Sequence, residues 1–116
     1  MSDVLTKKEY ESISQKIIFP SNNFINGGYK PNSGKEKIRN INPATNKLIN
    51  NINCSSDKDL NYCVKKAREA FDDGRWSRLH PSERKEVLIK LCKLLQRNRH
   101  ELITMECLDS GKPIHD

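Results

Sequence analysis

No stretch of this 116-residue chain holds more than three apolar residues in a row, Ile17-Ile18-Phe19 and Val87-Leu88-Ile89 being such runs. A membrane helix needs roughly 20, so no run can cross a bilayer as a helix. Met1-Ser2-Asp3 brings an acid at once, with no apolar leader core behind it, and a cytoplasmic protein is expected. Apolar residues as a whole are scarce, at 34% against roughly 45–50% for ordinary globular chains. Leu, Ile, Val and Phe number 27 and asparagines twelve, so the core is thin for the length. Such a chain is either poorly stable or completes a larger core.

Motifs are missing too. Cys54, Cys63, Cys92 and Cys107 form no CxxC pair, which removes the usual zinc spacing, and four reduced thiols are expected. Neither GxGxxG nor GxxxxGK followed by Ser or Thr occurs, and Gly27-Gly28 precedes no helix, so no phosphate cradle is visible. His80, His100 and His115 lie in separate segments without ligand spacing. No Ser, His and Asp take up catalytic roles.

What the chain has is charge and punctuation. Lys and Arg total 21 against 15 Asp and Glu, a net +6, with much of the excess between Arg84 and Arg99. That permits nucleic-acid binding. The basic residues alternate with Glu86 and Glu101 and lack an aromatic stacking platform, so a solvated helix face is expected and nucleic acid is not.

Tyr10, Ile13 and Ile17 share a helical spacing, which makes residues 1–20 an arm or a short helix ending before Pro20. Asn26-Gly27 predicts a tight hairpin turn between Phe24-Ile25 and Tyr29. Residues 37–41 and 47–52 predict a second hairpin around Asn42-Pro43, with Leu48, Asn50 and Ile52 on one face and the strands at an edge. Ser56 and Asp59 make a capping-box start, after which Leu60, Cys63, Val64, Ala67 and Phe71 form a stripe that Gly74 ends. Arg75–Leu79 reads as a loop whose Trp76 docks back on the protein. Pro81 opens a second helix with an apolar sector of Val87, Leu88, Leu91, Cys92, Leu94 and Leu95. A third runs from about His100 to Ser110, stopped by Gly111 and Pro113. Its Glu106 and Asp109 run against the helix dipole; either that turn frays and hydrates them, or they meet a cation or an Arg.

Six landmarks follow in order: Phe24-Ile25-Asn26-Gly27; Ile41-Asn42-Pro43-Ala44-Thr45; Ala67-Arg68-Glu69-Ala70-Phe71; Gly74-Arg75-Trp76-Ser77; Glu83-Arg84 with Leu88 and Leu91; and Leu108-Asp109-Ser110-Gly111-Lys112-Pro113. In this order and spacing, the chain from Phe24 to Pro113 resembles the N-terminal part of the NAD(P)-dependent aldehyde dehydrogenase superfamily. The run from Met105 to Pro113 looks most like the betaine-aldehyde and aminobutyraldehyde subgroup.

The resemblance implies a partial α/β fold. A small antiparallel β-sheet is followed by three amphipathic helices, residues 21–116 forming the outer portion of a cofactor domain without its Rossmann-like sheet. It implies oxidation of an aldehyde to a carboxylic acid through a cysteine thiolate, with hydride passing to NAD or NADP and a glutamate activating water. It places those groups outside this chain, so no catalytic or cofactor-binding residue is carried over, and the chain alone is expected to be inactive. One family site begins here: a monovalent cation, K+ or Na+, held by the carbonyls of Asn40 and Ile41 and by Asp109. The alternative is a truncated remnant that works as a binding module, docking its stripes on a full-length or complementary dehydrogenase chain.

Overall fold

Side-chain caps set where the helices begin. In the computed structural model, which describes residues 4–114, Thr6 accepts from the Glu9 amide while Glu9 Oε2 accepts from the Thr6 amide at 2.8 Å. This reciprocal box starts α1 (Lys7–Ser14). The expected continuation to Ile17 does not form. Ser14 Oγ donates to the Glu11 carbonyl at 2.7 Å, no glycine offers a left-handed stop, and Pro20 disfavours a helical Phe19.

The two predicted hairpins follow, each a separate two-stranded antiparallel sheet. β1 (Asn23–Ile25) pairs antiparallel with β2 (Gly28–Lys30), Phe24 opposite Tyr29. The turn between them holds Asn26 at φ 50° and Gly27 at φ 81°, the left-handed pair that a two-residue hairpin turn requires. β3 (Lys37–Asn42) pairs with β4 (Lys47–Asn53). Asn40 lies opposite Asn50 and Ile41 opposite Leu48, so Ile49 is an extra residue. This bulge breaks the expected alternation: Leu48 is 47% exposed while Asn50 is half-buried. Asparagines and main-chain bonds join the hairpins: Asn32 Nδ2 donates to the Asn53 carbonyl at 2.6 Å, Asn53 Nδ2 to Asn22 Oδ1 at 2.7 Å, and the Asn53 amide to the Ser21 carbonyl at 2.8 Å.

Ser56 and Asp59 form the predicted box at α2 (Asp57–Asp72). Asp59 also accepts from the Ser33 amide at 2.8 Å, tying the helix start to the linker between the hairpins. Accepting from the Ser56 and then the Ser33 amide holds the Asp59 carboxyl below its ordinary value. His80 caps α3 (Pro81–Arg97), with Pro81 in its first turn. α4 (Arg99–Ser110) follows across Asn98 and ends at Gly111, φ 74°.

Among the described residues, the side chains that are buried lie in the α1–α4 seam: Tyr10, 6% exposed, and Thr104, 5%. Gly74 at the end of α2 is buried as well, and the Tyr10 ring meets His100 edge-on at 6.1 Å. Leu60, Val64 and Phe71 of α2 are 59%, 60% and 68% exposed, and Leu88 of α3 is 54% exposed. Trp76, expected to dock, is 44% exposed. The radius of gyration is 18.0 Å and the extents 48 × 43 × 21 Å, against roughly 13 Å for a packed chain of this length. The molecule is thus a thin slab with uncovered helical stripes. None of its helices is long and apolar enough to cross a membrane among the described residues.

Candidate functional site

The end of α4 meets the second hairpin, and the candidate residues gather there. Gly111 carries the chain out of the helix in a left-handed conformation, its amide donating to the Cys107 carbonyl at 3.0 Å. A Cβ at Gly111 would stand 2.8 Å from Pro43 Cγ. The glycine therefore lets the helix end lie against the Asn-Pro turn. That contact brings the last helical turn over β3, and Asn40 Nδ2 donates to Asp109 Oδ1 at 2.6 Å across 69 residues of sequence.

Beneath this bond is a cavity of about 370 Å³ lined by residues including Pro20, Asn40, Asn50, Glu106 and Asp109. Asn50 Nδ2 donates to the carbonyls of Phe19 and Pro20 at 3.3 and 3.2 Å, which aligns its amide. Asn50 Oδ1 is buried, and no donor among the described residues reaches it. Two carboxylates and the Asn40 and Asn50 side chains thus line one recess, an oxygen-rich set that suits a hard cation.

Both acids are exposed, as the hydrated reading expects, but the turn that carries them does not fray. The last turn is helical through Ser110. Glu106 meets a lysine, Lys112 Nζ at 3.2 Å, because the chain reverses at Gly111, and Asp109 meets the Asn40 amide. Each partner offsets a carboxylate that opposes the dipole by about 0.3–1 kcal/mol. The structure therefore brings together two of the three expected residues. Ile41 follows Asn40 in β3 but does not line the cavity. Sequence reasoning overlooked Asn50 as a site residue, although a polar side chain in the Leu48–Ile52 alternation was the available signal.

The four cysteines are unpaired thiols, Cys92 exposed and the others half-buried. Among the described residues, no three of His, Cys, Asp and Glu are grouped to hold a metal. His80 caps α3, its Nδ1 2.7 Å from Ser82 Oγ. His100 lies against Tyr10, its Nε2 accepting from Arg99 Nε at 3.2 Å. His115 lies outside the described residues.

The family model described as "aldehyde dehydrogenase family" matches residues 29–116. The chain is 39% identical over 116 residues to aminoacetaldehyde dehydrogenase of Pseudomonas aeruginosa, covering 100% of this chain and 23% of that protein. The aldehyde dehydrogenase KauB from Pseudomonas aeruginosa superposes with a TM-score of 0.90 at 34% identity, over 97% of this chain and 23% of that one. The AldA indole-3-acetaldehyde dehydrogenase of P. syringae, solved with NAD+, superposes with a TM-score of 0.89 at 36% identity, over 97% and 23%. The chain thus spans about a quarter of the length of these proteins.

Proposed function

The chain belongs to the aldehyde dehydrogenase family and corresponds to its N-terminal segment, and from that premise we propose that it serves as the outer wall of an NAD(P)-dependent aldehyde dehydrogenase. Its work there is to cover the cofactor domain and fix one corner of it, while the nucleophile, the base and the cofactor cradle come from elsewhere. The uncovered stripes on α2 and α3 carry this reading, because they give a chain of this size a hydrophobic face to bury against a larger body. By itself the chain then has no dehydrogenase activity. Residues 1–20 form the N-terminal arm and residues 21–116 the dehydrogenase part, and α1 holds the arm to it through the Tyr10–His100 contact. The substrate class is a small aldehyde; an amino-aldehyde is favoured by the relative acting on aminoacetaldehyde. The setting is the cytoplasm, where four free thiols stay reduced.

The test is reconstitution. The purified chain should give no NAD- or NADP-linked oxidation of an amino-aldehyde, and adding a chain that carries the remaining domains should restore turnover. Activity of the chain alone would overturn the reading. Stable association without turnover would favour the binding-module alternative, whose support is the same pair of stripes.

The Asn40–Asp109 corner is the place for K+ or Na+. Asp109 supplies a hard oxygen donor, with the carbonyls of Asn40 and Ile41 as the further ligands that the family resemblance implies. Potassium chloride should stabilise the chain over choline chloride at equal ionic strength. Asp109→Asn keeps an acceptor for Asn40 but removes the charge, and should abolish that difference.

A further inference from the structure

The turn of the first hairpin has no role in the corner just described, and its chemistry is unusual for this chain. Twelve asparagines are present, and only Asn26 is followed by glycine. Among the described residues neither the Asn26 side chain nor the Gly27 amide makes a hydrogen bond. Asn26 is exposed and holds φ 50°, and a Cβ at Gly27 or Gly28 would find nothing within 4 Å. The hairpin is two strands of three residues with no third strand beside it, an assembly only marginally stable in water. Its clamp is the edge-on Phe24–Tyr29 pair at 5.3 Å, both rings more than half exposed. Opening the turn therefore costs little.

Asn32-Ser33, which also has a small following residue, stands in contrast. Asn32 Oδ1 accepts from the Asn23 amide at 3.2 Å, Asn32 Nδ2 donates to Asn53, and the Ser33 amide donates to Asp59 Oδ2 at 2.8 Å. Both the carbon to be attacked and the nitrogen that would attack it are tied down.

From this contrast we infer that Asn26 is a site of spontaneous deamidation, a covalent modification that ages this chain at one hairpin. When the turn opens, the Gly27 nitrogen attacks Asn26 Cγ. A C–N bond closes a five-membered imide, and the side-chain nitrogen leaves as ammonia with the proton from Gly27. Water then opens the ring. Cleavage at Cγ gives aspartate, and cleavage at the main-chain carbonyl gives isoaspartate; nothing is oxidised or reduced. The new carboxylate enters the wall of a groove of about 630 Å³ that Asn26 shares with Lys66 and Arg75. In the isoaspartate product an added methylene lengthens the turn and displaces the Ile25–Gly28 pairing.

The experiment incubates the 116-residue chain in neutral buffer, native and in guanidinium chloride, and follows each asparagine by peptide mass spectrometry for a gain of roughly one mass unit. Enzymatic carboxyl methylation marks isoaspartate. Asn26 in the native chain should convert within about tenfold of its rate in denaturant, the factor allowed by a cheap opening, while Asn32 is slowed far more. Isoaspartate in the peptide that spans residue 26 should vanish in Asn26→Gln, whose longer side chain disfavours the ring; Asp73-Gly74 can supply isoaspartate elsewhere and is read in its own peptide. Slowing of Asn26 by much more than tenfold, equal slowing of Asn26 and Asn32, or isoaspartate that persists in the residue-26 peptide of the variant would each overturn the assignment.

Discussion

Helix α1 has 8 residues and starts at the Thr6–Glu9 box; α3 has 17 and starts at the His80–Glu83 box. Both are amphipathic and both are well capped. The shorter one contains the buried Tyr10, whereas α3 buries no residue and leaves Val87, Leu88, Leu91, Leu94 and Leu95 each more than 40% exposed. Capping therefore fixes where a helix begins without fixing whether its apolar side is covered. An eight-residue helix is too short to stand alone in water, so α1 depends on α4. In this chain α3 rests on its own caps and length.

The largest expected effect lies in the α1–α4 seam. Tyr10→Ala removes the buried ring and should cost about 3 kcal/mol, whereas Leu88→Ala on the open face of α3 should cost within about 0.5 kcal/mol. Amide exchange along α1 and α3 reads both, and equal losses would break the comparison.

A smaller effect separates two left-handed glycines. Gly111→Ala adds the left-handed penalty of roughly 1–2 kcal/mol to a collision with Pro43, and should loosen the Asn40–Asp109 corner. Gly27→Ala, left-handed too but facing open space, should incur that penalty alone, about 1–2 kcal/mol. Urea titration of the two variants orders them.

Next comes the cap that ties α2 to the hairpins. Ser56→Ala should cost about 1 kcal/mol. Acid acts on the same joint. The Asp59 carboxyl is held below its ordinary 3.8 by amides of the folded state, so the folded state binds its proton less readily than the unfolded chain. Its contribution is complete above 3.8 and is lost as pH falls through the lower folded value. Protection of the Ser33 and Ser56 amides should fall with it, and Asp59→Asn should flatten that profile. The smallest effect belongs to the exposed Lys7–Glu11 pair, 3.8 Å apart: Lys7→Ala should change stability by no more than about 0.5 kcal/mol.

Much of this was legible before any coordinates. Asn26-Gly27, Asn42-Pro43, the Ser56–Asp59 box, Pro81 and Gly111 mark turns and helix ends because each acts within a few residues of itself. Six such landmarks in register also place the chain in its family. The corner was half legible: the resemblance implies Asn40 and Asp109, but Asn50 reads as one polar residue among twelve asparagines until it is seen to line the same recess. Trp76 was misread because an aromatic in a loop suggests docking, which depends on surfaces that the loop itself does not contain.

By itself the sequence determined the eight short elements, their caps and their turns, through hydrogen bonds closed between near neighbours. It determined the deficit of apolar residues as well. Tertiary structure alone decided that Tyr10 is covered and Leu88 is not, that a bulge at Ile49 interrupts β4, and that Asp109 reaches Asn40. Those outcomes depend on which surfaces meet across tens of residues, and the packing that selects them is not written in any local run.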